Sequence, residues 1–142
     1  MTIQAIRYHD FSMGHTVTGH ESKCAMIHGH NYRVTFYVEA PELDKVGRVM
    51  DFSAIKEFLC EWLEENWDHR FLVSKDDHRA EGLKALDAKG TVIVDFNPTA
   101  ENLGYHLVNV VGPEVLKGTD VVLMKVNIEE TRKCSVDVTL EE

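Results

Sequence analysis

The clearest alternation in the chain runs through Tyr32-Arg33-Val34-Thr35-Phe36-Tyr37-Val38-Glu39. Tyr32, Val34, Phe36 and Val38 share one parity, while Arg33, Thr35 and Glu39 fall on the other. A period of two marks a half-buried strand. Phe11, Met13 and His15 repeat the pattern at the end of a first strand spanning Ile3 to His15. Toward the other end of the chain, Val122, Met124, Val126, Ile128 and Glu130 share one parity, so an apolar row terminates in a carboxylate. Thr131-Arg132-Lys133 then turns the chain, and Cys134, Val136, Val138 and Leu140 form the apolar face of a last strand, with Cys134 as a small core residue. Thr91 to Phe96 reads as a short strand that stops at Pro98, which has no N–H to continue a ladder.

Between these strands the period changes. Ile55, Phe58, Leu59, Trp62 and Leu63 stand at i, i+3, i+4, i+7 and i+8 behind N-cap candidates in Asp51-Phe52-Ser53, which predicts an amphipathic helix ending near Asn66. Cys60 falls beside the polar face of that helix. A second helix is capped by Thr99 or Asn97, carries Leu103, Leu107, Val110 and Val111 as its buried stripe, and closes at Gly112-Pro113. Glu101 occupies its favourable first turn. Ser74 to Gly90 is the most polar stretch and reads as an insertion with a short helix around Glu81 to Ala88. Terminal hairpins with helices between them predict an α+β fold, an antiparallel sheet with helices on one face, in a single domain over 1–142.

Composition narrows the function classes. The chain has 142 residues, enough for one core, and a net charge of -9. Without a Lys/Arg cluster, that charge argues against nucleic acid as a partner. Three cysteines, Cys24, Cys60 and Cys134, form no C-x-x-C pair and suggest neither a disulfide framework nor a zinc knuckle. No apolar run approaches the roughly 20 residues of a membrane span, and no leader pattern precedes the first strand. The expectation is a soluble, cytoplasmic protein.

Metal chemistry is written into the strand pattern. His28 and His30 lie in phase with Tyr32, so both imidazoles leave the same face with Cα atoms about 6.5 to 7 Å apart. His15 extends the inward row of the first strand. Three neutral imidazoles with an open fourth position are the ligand set of catalytic zinc. His20, on the loop from Thr16 to Lys23, has no strand parity to aim it and reads as exposed or as a support to the ligands. Glu130 either needs a partner, because a carboxylate ending a buried row is costly unless paired, or escapes to water at the strand end. Asp68 and His69 follow the first helix on an irregular segment, from which both can face one cleft.

Assembled in order, the motifs resemble the 6-pyruvoyl-tetrahydropterin synthase family. They are F-S-M-G-H at Phe11 to His15, C-x3-H-G-H-N-Y at Cys24 to Tyr32, G-x-V-M-D-F at Gly47 to Phe52, D-H at Asp68-His69, P-T-A-E-N at Pro98 to Asn102, and E-T at Glu130-Thr131. The resemblance implies the tunnelling fold, with a four-stranded antiparallel sheet carrying two helices on one face. Sheets of several subunits would join into a barrel, as a homohexamer made of two trimers with active sites at subunit interfaces. It further implies Zn2+ on His15, His28 and His30, a catalytic Cys24, proton transfer by His69 beside Asp68, and Glu130 gripping the pterin ring. Thr99 and Glu101 become substrate-binding candidates. The three-residue gap between Cys24 and His28 resembles the bacterial 6-carboxy-tetrahydropterin synthases of the 7-deazaguanine (queuosine) route. The implied reaction converts 7,8-dihydroneopterin triphosphate to 6-carboxy-5,6,7,8-tetrahydropterin, acetaldehyde and triphosphate. The alternatives are elimination of triphosphate alone, giving the 6-pyruvoyl product, and a pterin-binding assembly without turnover.

Overall fold

A computed structural model describes residues 2–19 and 25–141 of the chain. Its centre is the antiparallel pair β1 (Ala5–His15) and β2 (His28–Glu39), in register along the whole length of β1 from Ala5 opposite Val38 to His15 opposite His28. β5 (Val122–Thr131) pairs antiparallel with β2 on the far side, and β6 (Cys134–Thr139) pairs with β5. On the other flank, β3 (Phe71–Ser74) runs parallel to the end of β1, and β4 (Thr91–Val94) runs parallel to β3. The sheet therefore has six strands in the order β4-β3-β1-β2-β5-β6. This corrects the expected four-stranded, wholly antiparallel sheet. β3 escapes the period-two pattern because Leu72, Val73 and Ser74 are all buried, as happens in a short strand flanked on both sides.

The helices cover one face. α1 (Phe52–Ile55) is capped by the Asp51 carboxylate, which accepts from Ser53 N, and continues through a π-helical turn (Lys56–Cys60) into α2 (Glu61–Asn66). Ile55, Leu59 and Leu63 are buried as the periodicity predicts. Cys60 joins them at 1% exposure, contrary to its expected place by the polar face. The physical reason is the π turn: an i→i+5 bond admits an extra residue and rotates the stripe. After α3 (Ala80–Leu86), the second long run repeats this, with α4 (Ala100–His106), a π turn (Leu107–Val111) and α5 (Gly112–Val115). There Val108 is buried, while Val110, expected in the stripe, is exposed. Gly104 lets α4 sit down on the sheet, since a Cβ there would lie 2.6 Å from Val138 Cγ2.

The core lies between these runs and the inward row Phe11, Met13, Tyr32, Val34, Phe36, Val38, Val126 and Ile128. Each fully buried large apolar side chain contributes about 1.5–3 kcal/mol. The parity of β5 holds only from Val126 onward. A bulge opposite Tyr37 and Val38 shifts the register, so Leu123 is buried and Val122 exposed. Cys134 is exposed, not a core residue, because it stands at the start of the edge strand β6 beside a second register irregularity. Among the described residues, no helix is long and apolar enough to cross a membrane.

Candidate metal centre

The register of β1 against β2 sets the site. Opposing His15 with His28 and Met13 with His30 puts three imidazoles on the inward face at one end of the strand pair. His15 is 1% exposed, and its Nε2 lies 3.1 Å from His28 Nε2. Glu130 comes in from β5, with Oε1 2.8 Å from His30 Nε2 and 3.2 Å from His15 Nε2. One potential ligand atom from each of the four residues lies within 4.8 Å of every other. A tetrahedron with metal–nitrogen bonds of about 2.0–2.1 Å has edges of about 3.3–3.4 Å, so the spacing suits one small cation.

The hydrogen bonds behind the rings show that these atoms need one. His15 Nδ1 lies 2.7 Å from the Pro98 carbonyl, and His28 Nδ1 lies 2.7 Å from the Met26 carbonyl. A carbonyl only accepts, so each Nδ1 carries the proton and each Nε2 presents a lone pair. Two lone pairs 3.1 Å apart cannot satisfy each other; a cation between them can. His30 Nε2 is buried with no hydrogen-bond partner among the described residues, its Glu130 neighbour being close but out of alignment. Burial holds the His30 ring below the ordinary histidine range against the opposing pull of Glu130. Neutral imidazoles and an ionised carboxylate are the states in which these groups ligate metal.

Glu130 thus stands beside the imidazoles of His15 and His30 as a further candidate ligand. It also borders a cavity of about 510 Å³ with His30, Asn31, Tyr32 and Arg132, within the size range of small-molecule sites. Tyr32 forms the buried floor, its ring edge-on to His15 and His30 and stacked on Phe11.

Asp68 and His69 bond each other directly, Oδ1 to Nδ1 at 2.9 Å, across adjacent positions. The backbone permits it because His69 takes a positive φ of 57°, an uncommon conformation for a residue with a Cβ. Burial tends to raise the Asp68 carboxyl, but hydrogen bonds from His69 and the Ser12 N–H outweigh it and keep the acid ionised. His69 N donates to Ser12 O at 2.7 Å, which fastens the dyad to β1. The dyad borders a cavity of about 460 Å³ that opens on Ser12, Gly14, Gly29 and Asn31, the parity opposite to the three histidines. His30 touches this cavity, yet among the described residues no hydrogen bond or ion pair links the dyad to the cluster.

Thr99 is the N-cap of α4, its hydroxyl accepting from Asn102 N at 3.1 Å. Glu101 is exposed in the first turn of that helix. Cys24 and His20 lie outside the described residues. What sequence reasoning missed is the role of main-chain carbonyls: Pro98 and Met26 orient two ligands, and neither carries a side-chain signal. The P-T-A-E-N motif pointed to the right segment, which meets the site through the backbone.

Residues 5–141 match the family model described as 6-pyruvoyl tetrahydropterin synthase. A protein of Rickettsia felis named 6-carboxy-5,6,7,8-tetrahydropterin synthase is 35% identical over 138 residues, 96% of this chain and 99% of its own. One of the same name from Haemophilus influenzae is 32% identical over 107 residues, covering 70% of this chain and 74% of its own. Among solved structures, a protein of Wolinella succinogenes superposes with a TM-score of 0.85 at 23% identity, covering 99% of each chain. The 6-pyruvoyl tetrahydropterin synthase of Plasmodium falciparum shares the fold at a TM-score of 0.75 and 18% identity, covering 96% of each. The chain belongs to the 6-pyruvoyl tetrahydropterin synthase family.

Proposed function

We propose that this chain is a zinc-dependent lyase that converts 7,8-dihydroneopterin triphosphate and water to 6-carboxy-5,6,7,8-tetrahydropterin, acetaldehyde and triphosphate, a step of 7-deazaguanine biosynthesis. The observation that carries the reading is the convergence of His15, His28, His30 and Glu130 in a chain whose relatives bear the 6-carboxy-tetrahydropterin synthase name. Bound zinc supplies Lewis acidity to the hydroxyls of the substrate's propyl side chain.

The chain's own groups divide the remaining work. His15, His28 and His30 hold the metal. Cys24 as thiolate would take the proton from a carbon of the substrate's hydroxylated side chain. His69, oriented by Asp68, protonates the opposite face. Since its dyad opens on the other side of the sheet from the cluster, a neighbouring subunit's Asp68 and His69 serve each metal centre in this reading. Both edges of the sheet, β4 and β6, lack a second strand partner among the described residues; edge-to-edge joining into a barrel of a homohexamer would use them. Glu130 accepts from the pterin's ring N–H and exocyclic amine, and Thr99 and Glu101 stand on the substrate side.

Incubating zinc-loaded protein with the triphosphate and identifying the pterin by mass tests the proposal. A 6-carboxy product with acetaldehyde supports it. A 6-pyruvoyl product assigns elimination alone, and unchanged substrate makes the chain a binding protein.

A further inference from the structure

The polar stretch from Ser74 to Gly90 has no part in the chemistry above, yet it contains an ion pair between a buried carboxylate, Asp77, and a partly exposed guanidinium, Arg79, whose side chain is 28% exposed. The Asp77 side chain is 1% exposed and takes Arg79 Nε on Oδ1 and Nη2 on Oδ2, both at 2.9 Å, with Arg79 N adding a third bond to Oδ1. A guanidinium gripped in two places has a fixed plane and direction. Its remaining donors leave the insertion. Nη1 reaches the Ala25 carbonyl at 2.8 Å, and Nη2 reaches Thr16 Oγ1 at 2.7 Å. Thr16 is fully buried, and its hydroxyl donates in turn to the same Ala25 carbonyl at 2.8 Å. Three bonds thus close a ring of contacts among Arg79, Thr16 and Ala25, and Asp77 holds that ring from behind through Arg79.

The two residues it grips are the chain's exits from the metal centre. Thr16 follows His15 directly. Ala25 precedes Met26, whose carbonyl accepts from His28 Nδ1 and so sets the rotation of that ring. Groups that orient ligands typically govern metal affinity by about 10- to 100-fold. We propose that Arg79, clamped by Asp77, is a positioning residue for the metal centre, holding His15 and His28 at their mutual distance through Thr16 and Ala25. The insertion is then a brace on the ligand-bearing strand ends. Lysine cannot replace it, because an ammonium has three N–H groups, whereas the guanidinium makes four side-chain bonds, two to Asp77 and one each to Thr16 and Ala25.

The inference rests on the metal reading of the cluster, and zinc alone is the probe. Zinc dissociation constants, measured by chelator competition on the folded full-length protein, are compared for wild type, Arg79→Gln, Arg79→Lys, Thr16→Val and Leu116→Ala. Leu116 is a buried residue away from the site and controls for general loss of stability. Arg79→Gln is expected to weaken zinc binding by about 10- to 100-fold. Arg79→Lys should fail to restore it. Thr16→Val, which keeps the ion pair and removes one link, should weaken binding by about threefold or more, a fraction of that range. Leu116→Ala should lower the melting temperature and leave zinc affinity as it was. Unaltered affinity in folded Arg79→Gln overturns the proposal, as does a loss in Leu116→Ala equal to that in Arg79→Gln. If Arg79→Gln does not fold, unaltered affinity in Thr16→Val overturns it. Wild type that binds no zinc defeats the metal reading, and the brace with it; zinc binding insensitive to every variant defeats the brace alone.

Discussion

Replacing Glu130 by Gln asks whether this carboxylate reads the pterin. The substitution keeps shape and turns one acceptor oxygen into an NH2 group. In the structure the carboxylate faces a cavity of about 510 Å³ and is 24% exposed at the side chain. A pterin edge presents two adjacent donors, which one carboxylate satisfies in bidentate fashion. With glutamine, one donor meets another donor, at a cost of about 1–3 kcal/mol for an unmet buried group. Partial exposure gives water some access and favours the lower half of that range, near 1.4 kcal/mol or about tenfold in affinity. The three imidazoles that stand around the cation position are untouched. Calorimetric titration of zinc-loaded protein with the reduced 6-carboxypterin should therefore show affinity at least about tenfold weaker, with zinc content near wild type. Unchanged pterin affinity would refute the assignment. Normal pterin binding with loss of zinc would make Glu130 a metal donor, a role its 2.8 Å approach to His30 would suit.

The remaining predictions probe the other assignments. Cys24→Ala should retain zinc and lose turnover, whereas Cys60→Ala and Cys134→Ala should stay active; a reversal, read by steady-state rates, removes Cys24 from the mechanism. Asp68→Asn deprives His69 of its ionised partner and should lower kcat by about 100-fold or more with metal content unchanged. Leu59→Ala, at a fully buried position under the first helical run, should cost about 2–5 kcal/mol in urea unfolding. The Arg79 hydrogen bond holds the Asp77 carboxyl below its ordinary range. A depressed folded value means stability that is present above the unfolded value of about 3.9 and lost as pH falls through the folded one. Wild type should thus exceed Asp77→Asn in stability at pH 6, and the gap should shrink below about pH 4; a gap independent of pH would contradict the ion pair's contribution.

Much of this was legible in the residues because the two central strands alternate strictly. The parity of Phe11, Met13, His15, His28, His30 and Tyr32 puts the three histidines of β1 and β2 on the inward face where the structure has them, and Ile55, Leu59 and Leu63 locate the first helix. What escaped has local causes. The π turns after Ile55 and His106 rotate each stripe, burying Cys60 and Val108 and exposing Val110. The bulge in β5 moves burial from Val122 to Leu123. β3 is four residues long with no alternation, so the parallel flank of the sheet went unseen. Glu130 was singled out for its unpaired charge, but its imidazole neighbours come from strands distant in sequence. The Asp77–Arg79 brace lay in a segment whose polarity resembles an ordinary solvated excursion.

The central claim is that His15, His28 and His30 hold the metal on which turnover depends. Metal-free protein titrated with zinc, with bound metal and release of acetaldehyde from the triphosphate read in the same samples, tests it most directly. The wild type should bind about one zinc per chain, with acetaldehyde release rising in proportion and levelling at the same point, and His28→Ala should show neither at equal zinc while remaining folded. Full activity before any zinc is added, or full zinc binding and turnover in His28→Ala, would contradict the account.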